Sequence, residues 1–348
     1  MYRYISRESC SQFDSLPLTS LTIPPVSIAT QSASALSVLR AAAAAAGAPF
    51  EVAASLDDAV PPLGLAGAFQ RDNAAVALRL CEVALGDATR TPSLPPSTLR
   101  GLASCRWAGR AQTVRGDALR FGAALDVRVH LDGAHTPLSA QCCADWFRAQ
   151  SASAAAAAAH RVLIFNCGSG RDPTALLRPL VGLFDAAIFC PPDFDKPTAK
   201  ADPTGEALLS AALGDDSAAL AAALDALRAD EAAALAAIGG EAGNIDAAQS
   251  AHLWQRRLAA VWVAIGGGDA ARVQTAHSVA DALDRCRLEG ERVLAASGAG
   301  PAAGPAAGTG AGAGERARAS VDVLVTGSIY LVGSALAALG WSEDDEGA

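Results

Sequence analysis

The sequence predicts an α/β protein built on a doubly wound, mostly parallel sheet. From residue 127 onward, short apolar runs alternate with longer segments of helical periodicity. That alternation is the pattern of parallel strands joined by right-handed helical crossovers. The runs at 161–166, 186–190 and 321–327 are largely continuous apolar stretches, as expected of strands covered on both faces. The length of 348 residues exceeds what one core normally organises and predicts two domains.

The elements follow in order. "VSIAT" at 26–30 reads as a strand, and an alanine-rich helix follows over 32–46. A helix over 72–85 carries "NAAVALRLCEVAL", with apolar residues at helical spacing. "GDATRTPSLPPSTLRG" at 86–101 is rich in Pro, Thr and Ser and reads as a linker. Beyond it, strands are expected at 127–131, 161–166, 186–190 and 321–327. Helices are expected at 138–150, 173–183, 273–288 and 331–339. Three stretches of low complexity read as disposable: 151–160, the alanine-rich helix about 217–239, and the glycine-alanine run 296–319. The expected division is 1–95 and 96–348, with inserts near 151–160, 201–245 and 293–319.

Composition excludes several functions. Net charge is -9 and the sequence pI is about 5.0, so a sequence-wide attraction to nucleic acid or anionic membrane is not expected. The only lysines are Lys196 and Lys200, and neither lies in a Gly-Lys-Ser/Thr element. The chain therefore has no P-loop. The 8 cysteines form no C-x-x-C pair and read as free, mostly buried thiols of a reducing compartment. The 5 histidines show no zinc-ligand spacing. No apolar stretch is long enough to span a bilayer. The first twenty residues lack a hydrophobic signal core. They combine Arg3, Arg7 and serines with Glu8 and Asp14, a partial match to an organelle transit peptide.

Ligands of open parallel sheets bind at the carboxyl ends of the strands, and "HLDGAHTP" at 130–137 stands at such an end. Asp132 is there able to accept hydrogen bonds from ribose hydroxyls, and Asp-Gly is equally a turn-forming pair. Thr136 and Pro137 suit the N-cap and first position of a helix. His135, on the loop, is a better functional candidate than His130, which lies inside the strand pattern and reads as core. "NCGSGRDP" at 166–173 repeats the arrangement on the next strand, with Arg171 and Asp172 at its tip. Pro173 replaces the third glycine of a dinucleotide fingerprint, which leaves that signal weak. Arg110 in "WAGRAQ" is either a surface arginine or a phosphate contact.

Taken together, "FQRDNAAVAL" (69–78), "WAGRAQ", "HLDGAHTP", "VLIFNCGSGRDPTALL" (162–177) and "VDVLVTGSIYLVG" (321–333) resemble, in order and spacing, the folylpolyglutamate synthases of the Mur ligase superfamily. The resemblance implies a Rossmann-like C-terminal domain over 96–348, preceded by the end of a central ATPase domain over 1–95. The P-loop and magnesium ligands are expected upstream of Met1, with no metal ligand in this chain. It implies ATP contacts from Asn73, Arg110, Asp132 and His135, with Asp132 meeting the nucleotide across an interdomain cleft. Phe69 stands where the family usually has histidine. Asn166, Arg171 and Asp172 are candidates for the glutamate site. The implied ligands are ATP, Mg²⁺, L-glutamate and folate polyglutamates. The implied state is a cytoplasmic or mitochondrial monomer with no nucleic-acid partner. Two other classes stay open: a non-catalytic nucleotide-binding or interaction protein, and a Rossmann oxidoreductase, which would require the complete glycine fingerprint.

Overall fold

The computed structural model describes residues 26–28, 31–57, 59–84, 94–116, 118–152, 159–193, 202–239, 252–296 and 319–342. They fall into two compact units, one of 1–64 with 68–106 and one of 65–67 with 107–348.

In the first unit, β1 (Val26–Ile28) pairs in parallel with β2 (Glu51–Ala53). Helix α1 (Ala33–Ala45) joins them and starts where the Ser32 side chain accepts the Ala35 N–H, a serine cap that satisfies one orphan donor of the first turn. Helix α2 (Gln70–Ala84) is tied to β2 by Arg79, whose Nε lies 2.8 Å from Glu51 and whose Nη1 lies 2.9 Å from Glu82. Helix α3 (Pro96–Ser104) corrects the linker expectation over 96–101, while 86–93 lie outside the described residues. Its proline falls at the start of the helix, where no N–H is needed. The same proline-rich composition is what reads as a linker in the sequence.

The second unit is an α/β sheet of six strands in the order β3-β4-β8-β5-β6-β7. These are β3 (Gln112–Arg115), β4 (Leu125–Leu131), β5 (His160–Phe165), β6 (Ala186–Phe189), β7 (Val273–Thr275) and β8 (Ala319–Thr326). Only the edge strand β3 runs antiparallel to its neighbour. The helices are α4 (Ala118–Phe121), α5 (Pro137–Gln150), α6 (Pro173–Leu177), α7 (Gly205–Leu213), α8 (Ser217–Ala237), α9 (Leu253–Ala264), α10 (Val279–Ala296) and α11 (Ile329–Ala338).

Side-chain alternation along the strands divides the core into two layers. Leu163, Phe165, Phe189 and Leu324 face one layer, which Trp146, Phe147, Leu176, Leu209 and Trp262 complete from α5, α6, α7 and α9. Val162, Ile164, Val321, Val323 and Val325 face the other, against Phe121, Leu283, Cys286 and Leu331 from α4, α10 and α11. This is the doubly wound arrangement expected, and it explains the long apolar runs of β5, β6 and β8.

His130 is 1% exposed and sits edge-on to Trp146 and Phe147, a core residue as read. Beside it, Arg128 makes a two-point ion pair with the buried Asp322 of β8, at 2.7 and 2.9 Å. A carboxylate inside a central strand needs such a partner.

Three further expectations are corrected. Residues 273–275 form β7, and α10 begins only at Val279. The helix expected over 173–183 stops at Leu177 and tightens into a 3-10 turn over Arg178–Leu180, because Pro179 offers no N–H to an α-helical bond. The alanine-rich insert is not disposable, since Leu209 and Leu227 enter the core. Most of the stretches 151–160 and 296–319 lies outside the described residues. Among the described residues, no helix is long and apolar enough to cross a membrane.

Candidate functional site

The carboxyl edge of the second unit's sheet carries the candidate site. Its organiser is the end of β8. The Asp132 N–H donates to the Val325 carbonyl at 3.2 Å, and the Asn166 N–H donates to the Thr326 carbonyl at 3.4 Å. Two consecutive carbonyls of one strand thus hold the first residues of two loops, one on each side. Gly327 then turns the chain at φ +96, and a Cβ there would meet the Asn166 carbonyl and the Phe165 ring. Ser328 caps α11 by accepting from the Tyr330 N–H at 3.2 Å.

On the β4 side, the "WAGRAQ" loop and the "DGAH" loop are knitted together. Gly133 N–H donates to the Gly109 carbonyl at 3.1 Å, and Ala111 N–H donates to Asp132 Oδ2 at 2.9 Å. Ala111 adopts φ 44, a left-handed backbone that alanine rarely takes. The Asp132 carboxyl holds it there, so local strain is balanced by a buried hydrogen bond. Asp132 is 6% exposed. Its pKa is raised chiefly by loss of hydration. The Ala111 N–H, the Arg110 charge and the Ala134 N–H oppose that shift without cancelling it.

Arg110 fills the room left by the missing Gly133 side chain, where a Cβ would stand 2.6 Å from its Nη1. The glycine of "DGAH" therefore serves close approach by a guanidinium. His135 Nδ1 lies 2.8 Å from the Gly133 carbonyl. A carbonyl only accepts, so Nδ1 carries a proton and is the donor of this bond. Thr136 and Ser139 form a reciprocal capping box that starts α5.

On the β5 side, Asn166 is 3% exposed, and its Oδ1 accepts from Gln255 Nε2 at 3.0 Å. The next carbonyl, of Cys167, accepts from Trp254 Nε1 at 2.7 Å. Asp172 caps α6 through the Ala175 N–H at 3.2 Å. Arg171 is exposed and has no ion-pair partner among the described residues.

The structure thus brings Arg110, Asp132 and His135 into one corner and places Asn166, Arg171 and Asp172 on the loop across β8. Asn73 lies in the first unit, exposed on α2, where its Nδ2 donates to Gln70 Oε1 at 3.0 Å. Sequence reasoning missed Ala111, Trp254 and Gln255. Gln255 gave no signal, because in "LWQRRLAAVW" it stands beside two arginines and reads as part of a polar helix face. Of the cysteines described, Cys143, Cys167, Cys190 and Cys286 are buried, and Cys81 and Cys105 are exposed. Burial pushes the Cys167 thiol up to about 12, which leaves it unreactive.

No protein-family model matches the chain. It is 38% identical over 164 aligned residues to human mitochondrial folylpolyglutamate synthase, covering 39% of this chain and 27% of that protein. It is 32% identical over 165 aligned residues to an Arabidopsis thaliana folylpolyglutamate synthase, covering 37% and 29%. The chain thus spans little more than a quarter of the length of these relatives. Among solved structures, a Mycobacterium tuberculosis folylpolyglutamate synthase complexed with ADP aligns with a TM-score of 0.54 at 18% identity, over 91% of this chain and 55% of that one. At that identity the likeness concerns the fold.

Proposed function

We propose that this chain is part of a folylpolyglutamate synthase, an ATP-dependent ligase that adds glutamate to the γ-carboxylate of folates. One observation carries the reading. The two loops whose motifs resemble the family, at 130–137 and 166–173, hang from consecutive carbonyls of β8 and present their polar residues at one sheet edge. The relatives' names agree with it.

The reaction balances as two transfers. The γ-phosphoryl group of ATP passes to a carboxylate oxygen of the folate's terminal glutamate, giving an acyl phosphate and ADP. The amine of free glutamate then attacks the acyl carbon. A C–N bond forms, the C–O bond to phosphate breaks, phosphate leaves, and the amine gives up a proton. Such catalysis rests on positioning and on charge stabilisation more than on acid-base groups.

In this scheme Arg110 contacts the nucleotide phosphates with its fork of donors, and Asp132 holds the loop that presents it while facing the ribose side. His135 offers Nε2 to the same ligand, and Asn73 serves the adenine side. Asn166 and Arg171 face the carboxylates of the incoming glutamate, and Asp172 its ammonium. Magnesium, which the family resemblance implies, finds no group of three His, Cys, Asp or Glu able to hold it among the described residues, so no step is assigned to it here. The same reading implies a monomer, in the cytoplasm or in mitochondria as the name of the human relative suggests.

The test is incorporation of labelled L-glutamate into tetrahydrofolate by the polypeptide that the whole gene encodes. Incorporation that requires ATP, and that falls on Arg110→Ala through kcat/KM for ATP, is the expected result. ATP-dependent ligation of a different amino acid, or none, overturns it.

A further inference from the structure

Buried polar side chains are costly unless paired, so a buried glutamine and a buried tryptophan N–H in the first turn of a packing helix call for a reason. Trp254 and Gln255 open α9 and are 8% and 7% exposed. Their polar atoms reach consecutive residues at the end of β5: Nε1 to the Cys167 carbonyl at 2.7 Å, and Nε2 to Asn166 Oδ1 at 3.0 Å. A leucine would fill the same space without needing any partner. The helix start is itself tethered. His252, at φ 53, places its Nε2 2.9 Å from His277 Nδ1, just beyond β7.

We propose that Gln255 is a positioning residue for the amino-acid substrate: by donating to Asn166 Oδ1, it turns the Asn166 amide so that its NH₂ group is the end offered to a substrate carboxylate. This rests on the reading of Asn166 and Arg171 as contacts of the incoming glutamate. An asparagine amide has two orientations of opposite polarity. Only the one with nitrogen outward attracts a carboxylate, and it is the one compatible with Gln255 donating through Nε2. Trp254 fixes the backbone of the next residue, so that the selected amide stays in place.

The chain contains only three asparagines, Asn73, Asn166 and Asn244. The full 348-residue chain labelled with ¹⁵N-asparagine therefore gives three side-chain NH₂ pairs, and Asn166→Ala identifies one of them. Without ligand, Gln255→Glu should displace the Asn166 pair and leave the Asn73 pair in place. A carboxylate only accepts, so the Asn166 amide must rotate to donate to it. An unmoved Asn166 pair overturns the proposal.

L-Glutamate is then titrated to about 50 mM, since a partial site is expected to bind in the millimolar range. The wild-type Asn166 pair should respond, and Arg171→Ala should abolish the response. Gln255→Glu should weaken it by at least about fivefold, the scale of one net hydrogen bond. Equal binding by Gln255→Glu and wild type overturns the proposal while leaving the glutamate reading intact. A silent wild-type Asn166 overturns that reading and this proposal with it, although the ligand-free arm still reports whether Gln255 orients the amide. If the buried acid unfolds the chain, Gln255→Leu replaces it. It should give a shifted or broadened Asn166 pair and the same weakening, with cooperative thermal unfolding retained. A sharp, unshifted pair or undiminished binding overturns the proposal.

Discussion

Asp132 makes the sharpest prediction at the scale of one residue. It is a buried carboxylate that props a left-handed alanine. Asp132→Ala should cost about 1–3 kcal/mol of unfolding free energy, because the Ala111 and Ala134 N–H groups lose their acceptor, and urea denaturation measures it. The pH dependence has a definite sign. Burial raises the folded-state pKa above the ordinary carboxylate value. With rising pH the unfolded chain therefore ionises first. The stability linked to this group is complete below the ordinary carboxylate range and is lost as pH climbs through the folded value. Asparagine does not titrate there. The melting temperature of Asp132→Asn relative to wild type should accordingly rise between pH 4 and pH 7; a difference that falls or stays flat refutes the assignment. Asp132 and His135 were legible in the sequence because an acid and a histidine follow an apolar run at a strand end. Ala111 was not, because nothing in "WAGRAQ" reveals that its N–H is held by a carboxylate 21 positions away. Gln255 was hidden for the same reason, its partner lying 89 positions back.

At the scale of elements, legibility followed burial. The stretches 127–131, 161–166, 186–190 and 321–327 were readable as strands because both faces of each are covered, which makes them mostly apolar, with Arg128 and Asp322 paired where they are not. The edge strand "QTVR" is half exposed and too short to show a period. β7 has three residues and runs straight into the approach to α10, so helical periodicity swallowed it. Helix α3 hid behind the composition of its cap. The contact between β5 and β8 yields the prediction for this scale. Gly327 has a positive φ and faces the backbone of Asn166, which cannot yield as a flexible side chain would. Gly327→Ala should therefore destabilise by at least about 2 kcal/mol, combining left-handed strain with displaced backbone. Chemical denaturation with an unchanged midpoint would show that the two strand ends are free to part.

For the whole molecule, two outcomes follow from what joins to what. Helix α10 ends at Ala296 and β8 begins at Ala319. Gly290 near the helix end packs on Val321 and Leu125, so a short connection suffices there. Replacing 297–318 with a brief Gly-Ser linker should leave the thermal midpoint within about 2 °C, since loop closure depends only weakly on length. Loss of cooperative melting would give that stretch a role in the core. The 348 residues also lack a Gly-Lys-Ser/Thr element, hence the phosphate cradle that a P-loop forms. On the proposed reading, the contacts left to Arg110 and Asp132 would be worth at most about 4 kcal/mol, or roughly millimolar affinity. This polypeptide by itself should show no glutamate-dependent ADP release, and calorimetry should find no Mg-ATP binding tighter than that range. Micromolar binding would mean that another loop recognises phosphate. The position of β8 also bears on synthesis. The strand that joins β4 to β5 is the latest of the six in sequence. While the ribosome is still adding residues before Ala319, β3–β4 and β5–β6–β7 are two separate ribbons, each with an unpaired inner edge open to other chains. The second unit therefore cannot assemble progressively as it emerges. It must wait for its middle strand, and a premature stop before that strand removes the centre of the sheet rather than its margin.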